Sequence, residues 1–185
     1  MNQEQALSLL KETKLVAILR GIPVKQATDI ATALYDGGVR VLEFTFDHDD
    51  PDCVAHNCQR IRAVKKIFGD EMVVGCGTAL TVQEVEASVE AGGQIVISPN
   101  VDVSVIAKTK ALGAISMPGA LTPTEIVMAY NAGADIVKLF PAGTLGVPYI
   151  KAVRGPLGYI PMSAVGGVRP ETIADFLNVG VCGFG

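Results

Sequence analysis

The sequence predicts a parallel (β/α)8 barrel, and three observations favour this fold class. Eight short apolar runs recur along the 185 residues, starting near residues 16, 41, 72, 94, 114, 135, 159 and 181. A helical pattern and a glycine-bearing return follow each of the first seven runs. The runs are apolar on both faces, which is typical of strands in a parallel sheet. An open doubly wound sheet is the alternative, but its strand count and spacing would be less regular.

The elements alternate in a fixed order along the chain. The predicted helices cover residues 3–13, 24–35, 51–68, 82–91, 103–112, 123–131, 149–153 and 170–179. The predicted strands cover residues 15–20, 41–46, 72–78, 94–99, 114–118, 135–142, 159–165 and 181–185. Glycines end several of these helices, at Gly37-Gly38, Gly69, Gly92-Gly93 and Gly113, as expected for helix C-termini.

The last predicted strand has no helix after it. In a closed barrel this strand would be bare on its outer face, so we expect the natural chain to continue beyond Gly185. Residues 1–185 are therefore predicted to form a single barrel domain that lacks its eighth helix.

Composition excludes several functional classes. The net charge is -4 without a lysine or arginine cluster, so nucleic acid and anionic membranes are not expected partners. No apolar run could span a bilayer, and the N-terminus lacks a secretory signal pattern. The four cysteines, Cys53, Cys58, Cys76 and Cys182, are predicted to be reduced thiols in a cytoplasmic protein.

Two metal-site interpretations are weaker than their alternatives. Cys53, His56, Cys58 and His48 match no standard zinc spacing. The acidic segment 47–52 resembles a metal loop, but Asp49 or Asp50 is more simply interpreted as the cap of a helix that Pro51 opens.

Charged residues are rare inside the predicted strands, and three of them converge on one end of the barrel. Lys138 lies in the sixth apolar run, Glu43 in the second, and Arg20 at the end of the first. Strand alternation allows Glu43 and Lys138 to point inward near the carboxyl ends of the strands, where barrel enzymes carry their active sites. A snorkelling lysine or a structural ion network is the competing interpretation. A desolvated lysine beside a carboxylate favours catalysis by an amine nucleophile.

Small residues follow several predicted strands. Gly166-Gly167, after the seventh strand, occupies a place where barrels often bind phosphate. Tight turns would use the same residues, so these glycines alone decide nothing.

The sequence resembles the class I KDPG/KHG aldolase family over essentially the whole chain. The motifs that carry the resemblance are Ile18-Leu19-Arg20-Gly21, Val41-Leu42-Glu43-Phe44-Thr45, Gly75-Cys76-Gly77-Thr78, Ile97-Ser98-Pro99-Asn100, Met117-Pro118-Gly119 and Val137-Lys138-Leu139-Phe140-Pro141-Ala142. The resemblance implies a cytoplasmic homotrimer that uses neither a metal nor an organic cofactor.

The resemblance also implies a role for each matching residue. Lys138 would form a Schiff base and Glu43 would be the general acid and base. The substrate would be bound by Arg20 and Thr78 at its pyruvyl part, by Pro99 and Phe140 along the site, and by Gly166 and Gly167 at its distal phosphate or carboxylate.

Three departures from the family pattern concern substrate binding. Asp47 stands where many members have an arginine, and Val165 stands where many have a threonine before the glycine pair, as in galactonate-specific relatives. The Gly-Ser pair that completes the phosphate site would fall beyond Gly185.

The predicted activity is cleavage of a 4-hydroxy-2-keto acid to pyruvate and an aldehyde. The expected substrate is 2-dehydro-3-deoxy-6-phosphogluconate or 4-hydroxy-2-oxoglutarate, with 2-dehydro-3-deoxy-6-phosphogalactonate as an alternative. Two other classes remain open: a barrel sugar-phosphate epimerase, and a non-catalytic protein that binds sugar acids.

Overall fold

The computed structural model describes residues 1–185 and contains eight α-helices and nine short strands. The helices are α1 (Gln3–Thr13), α2 (Ala27–Asp36), α3 (Cys53–Phe68), α4 (Val82–Glu90), α5 (Val103–Ala111), α6 (Pro123–Asn131), α7 (Ala142–Leu157) and α8 (Ile173–Asn178). The strands are β1 (Ala17–Leu19), β2 (Val41–Thr45), β3 (Val73–Gly77), β4 (Ile95–Ile97), β5 (Ile115–Met117), β6 (Gly119–Ala120), β7 (Val137–Leu139), β8 (Met162–Ala164) and β9 (Gly183–Phe184).

All strand pairs are parallel, and neighbours in sequence are neighbours in space. β1 to β5 form one sheet and β6 to β9 form a second. The two sheets meet at Pro118, which separates β5 from β6 within one barrel strand. On the opposite side, Phe184 accepts a hydrogen bond from Val16 N–H (2.9 Å) and forms a single bridge to Leu15. The arrangement confirms the predicted α/β barrel, although its ladder is not continuous around the ring.

Alternation along the strands separates an inner layer from an outer layer. Val41 and Ile136 belong to a buried cluster inside the barrel, together with Val73, Ile95, Ile97, Ile115 and Met117. Leu42 and Phe44 pack outward against α2 and α3, while Val137 and Leu139 pack outward in the other half of the molecule. Glu43 and Lys138 are therefore inward-facing, as strand alternation predicts.

Helix α1 covers the amino-terminal end of the barrel. Asn2 caps it by accepting from Gln5 N–H (2.9 Å), while the Gln5 side chain accepts from Asn2 N–H. Ala6 and Leu10, one turn apart, are buried against the inner cluster. The open end is consequently the carboxyl-terminal one, which we call the mouth.

Three local predictions are wrong in detail. The short helix predicted at 149–153 is part of α7, which is broken at Gly146 (φ 73°). The fifth strand was predicted to end at Pro118, but the same barrel strand resumes after it as β6; the proline separates the two pieces because it has no N–H to donate. Neither Asp49 nor Asp50 caps α3: its cap is Asp52, whose own N–H donates to Asp50 Oδ1 (2.9 Å).

Seven helices follow the first seven barrel strands, as predicted, and α1 precedes them all. None of the eight combines the length and the apolar character required of a membrane-spanning segment.

Candidate active site

Glu43 and Lys138 are two buried ionisable side chains that point into the barrel near its mouth. They are 2% and 7% exposed, and they project inward from β2 and β7. Burial raises the pKa of Glu43 to about 7, although Lys138 and Arg20 oppose the shift. Burial lowers the pKa of Lys138, Glu43 opposes that shift, and Arg20 reinforces it. The site therefore holds a carboxyl group that can exchange protons near neutrality and an amine that is unusually easy to deprotonate.

The Glu43 carboxylate has little room and an incomplete set of partners. Its Oε2 atom is buried and has no hydrogen-bond partner. Gly77, opposite Thr45 in β3, leaves the space that this oxygen occupies, because a Cβ there would lie 1.8 Å from Oε2. A buried and unpaired oxygen is costly in a purely structural role, and it faces the barrel interior.

Lys138 is connected to the loop after β8 through Phe140. Lys138 Nζ lies 4.9 Å from the centroid of the Phe140 ring. The same ring packs against Gly166, where an added Cβ would approach it to 3.0 Å. Gly166 also adopts a φ of +84°, a conformation that side-chain-bearing residues rarely take. Phe140 is thus placed between the amine and the glycine pair.

The Gly166-Gly167 segment is fixed against the beginning of α7. Gly143 N–H donates to Gly166 O (2.8 Å), and Gly166 N–H donates to Gly185 O (3.2 Å). A Cβ on Gly143 would collide with Gly167 O at 2.5 Å. Three glycines are therefore needed for this close approach, as expected where a ligand meets the backbone.

Arg20, Thr78 and Pro99 occupy three further strand ends. Arg20 is exposed just after β1 and affects the pKa of both Glu43 and Lys138, so it is near both. Thr78 follows Gly77 and has a φ of 58°, which is uncommon outside glycine and is often found at functional sites. Pro99 lies after β4, and its carbonyl oxygen packs so closely against Gly119 that a Cβ on Gly119 would lie 2.4 Å from it.

Sequence reasoning missed Ser163. It is 2% exposed and is the register partner of Lys138 in the β7–β8 ladder. Because Met162 and Ala164 pack outward, Ser163 faces the barrel interior beside the lysine. A lone serine in an apolar strand was the available signal, but serine is too common in strands to be singled out by composition.

The histidines and cysteines form no common cluster. His48 contacts Glu84 (2.8 Å) and His56 contacts Asp50 (2.7 Å), so each pairs with a different carboxylate. No group of three or more histidine, cysteine, aspartate or glutamate side chains is arranged to hold a metal ion. The four cysteines are unpaired thiols. Asp47 is exposed and accepts Asp49 N–H (3.3 Å) within its own loop.

Two cavities, of about 590 and 330 Å3, lie at the opposite end of the barrel against α1. In the larger one, Arg40 stacks on the Tyr35 ring at 3.9 Å and donates to Tyr35 O. Its cation already has partners, and no group there resembles the Glu43–Lys138 pair.

The fold and the site define a class: a parallel α/β barrel with a buried amine and a carboxyl of near-neutral pKa at its mouth. The family model described as KDPG and KHG aldolase matches residues 7–185, so the chain belongs to the KDPG/KHG aldolase family.

Individual relatives agree with this assignment. A probable 2-dehydro-3-deoxy-6-phosphogalactonate aldolase of Rhizobium meliloti (strain 1021) is 37% identical over 175 residues, which are 94% of this chain and 80% of the relative. A KHG/KDPG aldolase of Escherichia coli (strain K12) is 33% identical over 174 residues, 93% of this chain and 78% of the relative. A solved structure described as native KDPGal superposes with a TM-score of 0.85 at 35% identity, covering 92% of this chain and 81% of the other.

Proposed function

We propose that this protein is a class I aldolase that cleaves a 4-hydroxy-2-keto acid to pyruvate and an aldehyde. The observation that carries the proposal is the Glu43–Lys138 pair, in which burial raises one pKa to about 7 and lowers the other. Family membership supports the same reaction class, since the relatives are named aldolases.

The reaction begins with the Lys138 amine. The neutral amine adds to the C2 ketone and gives a carbinolamine, and protonated Glu43 supplies a proton so that the hydroxyl leaves as water. The product is an iminium ion on Lys138. A lysine with a depressed pKa keeps more of its population in the nucleophilic form.

Carbon–carbon cleavage then uses the carboxylate form of Glu43. The carboxylate takes the proton of the C4 hydroxyl, the C3–C4 bond breaks, and its electron pair passes into the iminium to form an enamine. The aldehyde departs. Glu43 returns the proton to C3, and water hydrolyses the resulting iminium to pyruvate and the free amine. A pKa of about 7 lets one carboxyl both donate and accept protons near neutral pH.

Substrate binding is assigned to the surrounding strand ends. Arg20 binds the substrate carboxylate, because its planar guanidinium group can donate to both carboxylate oxygens. Thr78 contacts the same pyruvyl end of the substrate. Pro99 and Phe140 line the site. Gly166 and Gly167 are assigned to the distal phosphate or carboxylate, with the Gly167 backbone N–H as the donor, because the Gly166 N–H already donates to Gly185 O.

The proposed substrates are 2-dehydro-3-deoxy-6-phosphogluconate and 4-hydroxy-2-oxoglutarate. The phosphogalactonate epimer is a second candidate, favoured by the 37% identical relative and by Val165, which packs inside the barrel before the glycine pair. Comparing the rates of pyruvate release from the three keto acids separates these candidates. A rate at least tenfold higher with the galactonate epimer would replace the first assignment by the second.

Borohydride reduction in the presence of pyruvate tests the Schiff base. Peptide mapping should find the adduct on Lys138. Lys65 is a matched control, because burial lowers its pKa too, yet it donates to Gln94 Oε1 (2.7 Å) far from Glu43. Labelling of Lys65 at the same rate would mean that amine basicity alone, and not the site, directs the chemistry.

The Lys138→Met variant distinguishes the remaining classes. It should form no adduct and release no aldehyde. An epimerase that works by carboxylate proton transfer would keep part of its activity in this variant, and a sugar-acid binding protein would bind pyruvate reversibly without any adduct in the wild type. Either result would refute the aldolase proposal.

We also propose a homotrimer in the cytoplasm. The family resemblance supports the trimer, and the four unpaired thiols are consistent with a reducing compartment. Sedimentation equilibrium should give three times the chain mass, and cell fractionation should place the protein with cytoplasmic markers.

A further inference from the structure

The loop after β3 is held by one carboxylate that touches neither Glu43 nor Lys138. Glu84, in the first turn of α4, is 5% exposed. Its Oε2 accepts Leu80 N–H (2.7 Å) and Thr81 N–H (2.9 Å), and its Oε1 contacts His48 Nε2 (2.8 Å). Three polar groups from two loops therefore converge on a single buried side chain.

These contacts lie next to Thr78, the residue with an unusual backbone conformation. Thr78 has a φ of 58°, and such a conformation persists only when its surroundings enforce it. Before Thr78, the carbonyl of Gly77 accepts Phe46 N–H (2.8 Å), and after it, Ala79 N–H donates to Ile97 O (3.2 Å). Glu84 fixes the next two N–H groups. Thr78 itself adjoins Gly77, whose Cα borders the Glu43 carboxylate.

His48 extends this restraint to the loop after β2. Paired residues of β2 and β3 end at Thr45 and Gly77, and Phe46 N–H makes a further hydrogen bond to Gly77 O. The His48–Glu84 contact joins the two segments again beyond the ends of these strands. His48 thereby links the strand that carries Glu43 to the loop that carries Thr78.

The loop before α6 has the same type of helix cap but neither a histidine contact nor a strained backbone residue. Ala120-Leu121-Thr122 and Glu125 repeat the pattern of Ala79-Leu80-Thr81 and Glu84. Glu125 Oε2 accepts Leu121 N–H (2.8 Å) and Thr122 N–H (2.7 Å). Glu125 contacts no histidine, and no residue with a side chain in its loop has a positive φ. Capping α6 therefore needs neither feature.

We propose that Glu84, braced by His48, is a positioning residue that holds Thr78 in its substrate-binding conformation. This inference rests on the aldolase function proposed above, in which Thr78 contacts the pyruvyl end. The carboxylate acts through the backbone of the loop and does not touch the substrate. Its loss should weaken keto-acid binding more than it slows the bond-breaking steps.

The test measures KM and kcat for cleavage, and the half-saturating pyruvate concentration for borohydride trapping. Glu84→Ala should raise both KM and that concentration roughly tenfold, the equivalent of one lost hydrogen bond, with kcat changed less than about threefold. Glu84→Gln should stay near the wild type, because its amide oxygen can still accept the Leu80 and Thr81 N–H groups. The matched control, Glu125→Ala, should lower thermal stability but leave KM unchanged.

A double mutant separates positioning from general stability. In a Thr78→Ala background, Glu84→Ala should have no further effect on KM, because the group that it positions is absent. His48→Ala removes a single contact from a half-exposed side chain, and it should raise KM about threefold even if Glu84→Ala does not fold.

Several results would overturn the inference. These are additive effects of Glu84→Ala and Thr78→Ala, equal effects of Glu84→Ala and Glu125→Ala on KM, or a KM unchanged in His48→Ala. Wild-type protein that traps no pyruvate on Lys138 would refute the aldolase proposal and this inference together. Wild-type trapping with unchanged KM in the variants would refute this inference alone.

Discussion

Replacing Glu43 with glutamine should stabilise the protein at pH 8 and have little effect on stability near pH 4. The reason is the buried carboxyl, whose pKa rises from 4.5 to about 7 on folding. Between these values the unfolded chain has released the proton while the folded chain keeps it, so the folded state binds more protons. Stability is therefore fully present below pH 4.5 and falls as the pH rises through 7.

The size of the effect follows from the same shift. The two pKa values differ by about 2.5, and one pH unit corresponds to about 1.4 kcal/mol, so the ionised carboxylate costs about 3 kcal/mol above pH 7. Glutamine is neutral at every pH and has nearly the same size as the protonated acid. The variant should thus exceed the wild type in unfolding free energy by about 3 kcal/mol at pH 8, with the gap closing toward pH 4.

Urea unfolding at several pH values between 4 and 8 measures this gap. Lys138 also affects this difference in unfolding free energy, because the charge of Glu43 raises the Lys138 pKa against the effect of burial. Repeating the comparison in a Lys138→Met background removes that coupling. There the pKa of Glu43 should be higher still, since Lys138 lowers it, and the gap should begin to open at the same pH but grow over a wider range. A gap that is independent of pH in both backgrounds would contradict the burial argument.

Two further predictions follow from single contacts. Gly77→Ala places a Cβ where Glu43 Oε2 now lies, so kcat should fall by about 10²-fold while the protein still folds. The control Gly75→Ala would place its Cβ 1.8 Å from the backbone oxygen of Ile95, so it should prevent folding, which circular dichroism would detect. Unchanged turnover in Gly77→Ala would show that the Glu43 position is unimportant. Asp102→Ala should cost about 1 kcal/mol at pH 7, because its carboxylate caps α5 by accepting Ser104 and Val105 N–H. Its hydrogen bond from Ser104 lowers the pKa of Asp102, so the part of this contribution that depends on the charged carboxylate should be lost as the pH falls below about 4. A cost that does not decrease in acid would contradict this.

Periodicity was sufficient to predict the fold class and the direction of the two central side chains. Alternating apolar residues placed Val41 and Ile136 inside, and Glu43 and Lys138 necessarily share their faces. Local details were less accessible. Pro118 interrupts a strand and Gly146 interrupts α7. The sequence allows several backbone conformations at each of these residues, and only the tertiary contacts select one of them.

Loop contacts were not predictable, because they join residues that are distant in the chain. The segment 47–52 suggested a helix cap or a metal loop, whereas its histidine contacts Glu84, 36 residues away. Ser163 became a candidate site residue only when the β7–β8 pairing placed it beside Lys138. Neither relation leaves a local pattern that a single sequence can display.

The sequence by itself determined the alternation of strands and helices, the inward placement of a lysine and a glutamate, and the family to which the chain belongs. These properties depend on residue type and short-range period. Tertiary structure alone decided that Glu43 is buried without a partner for Oε2, that Gly77 makes room for it, and that Glu84 restrains Thr78. Desolvation and close approach depend on atoms contributed by several strands, so they exist only once the barrel has assembled.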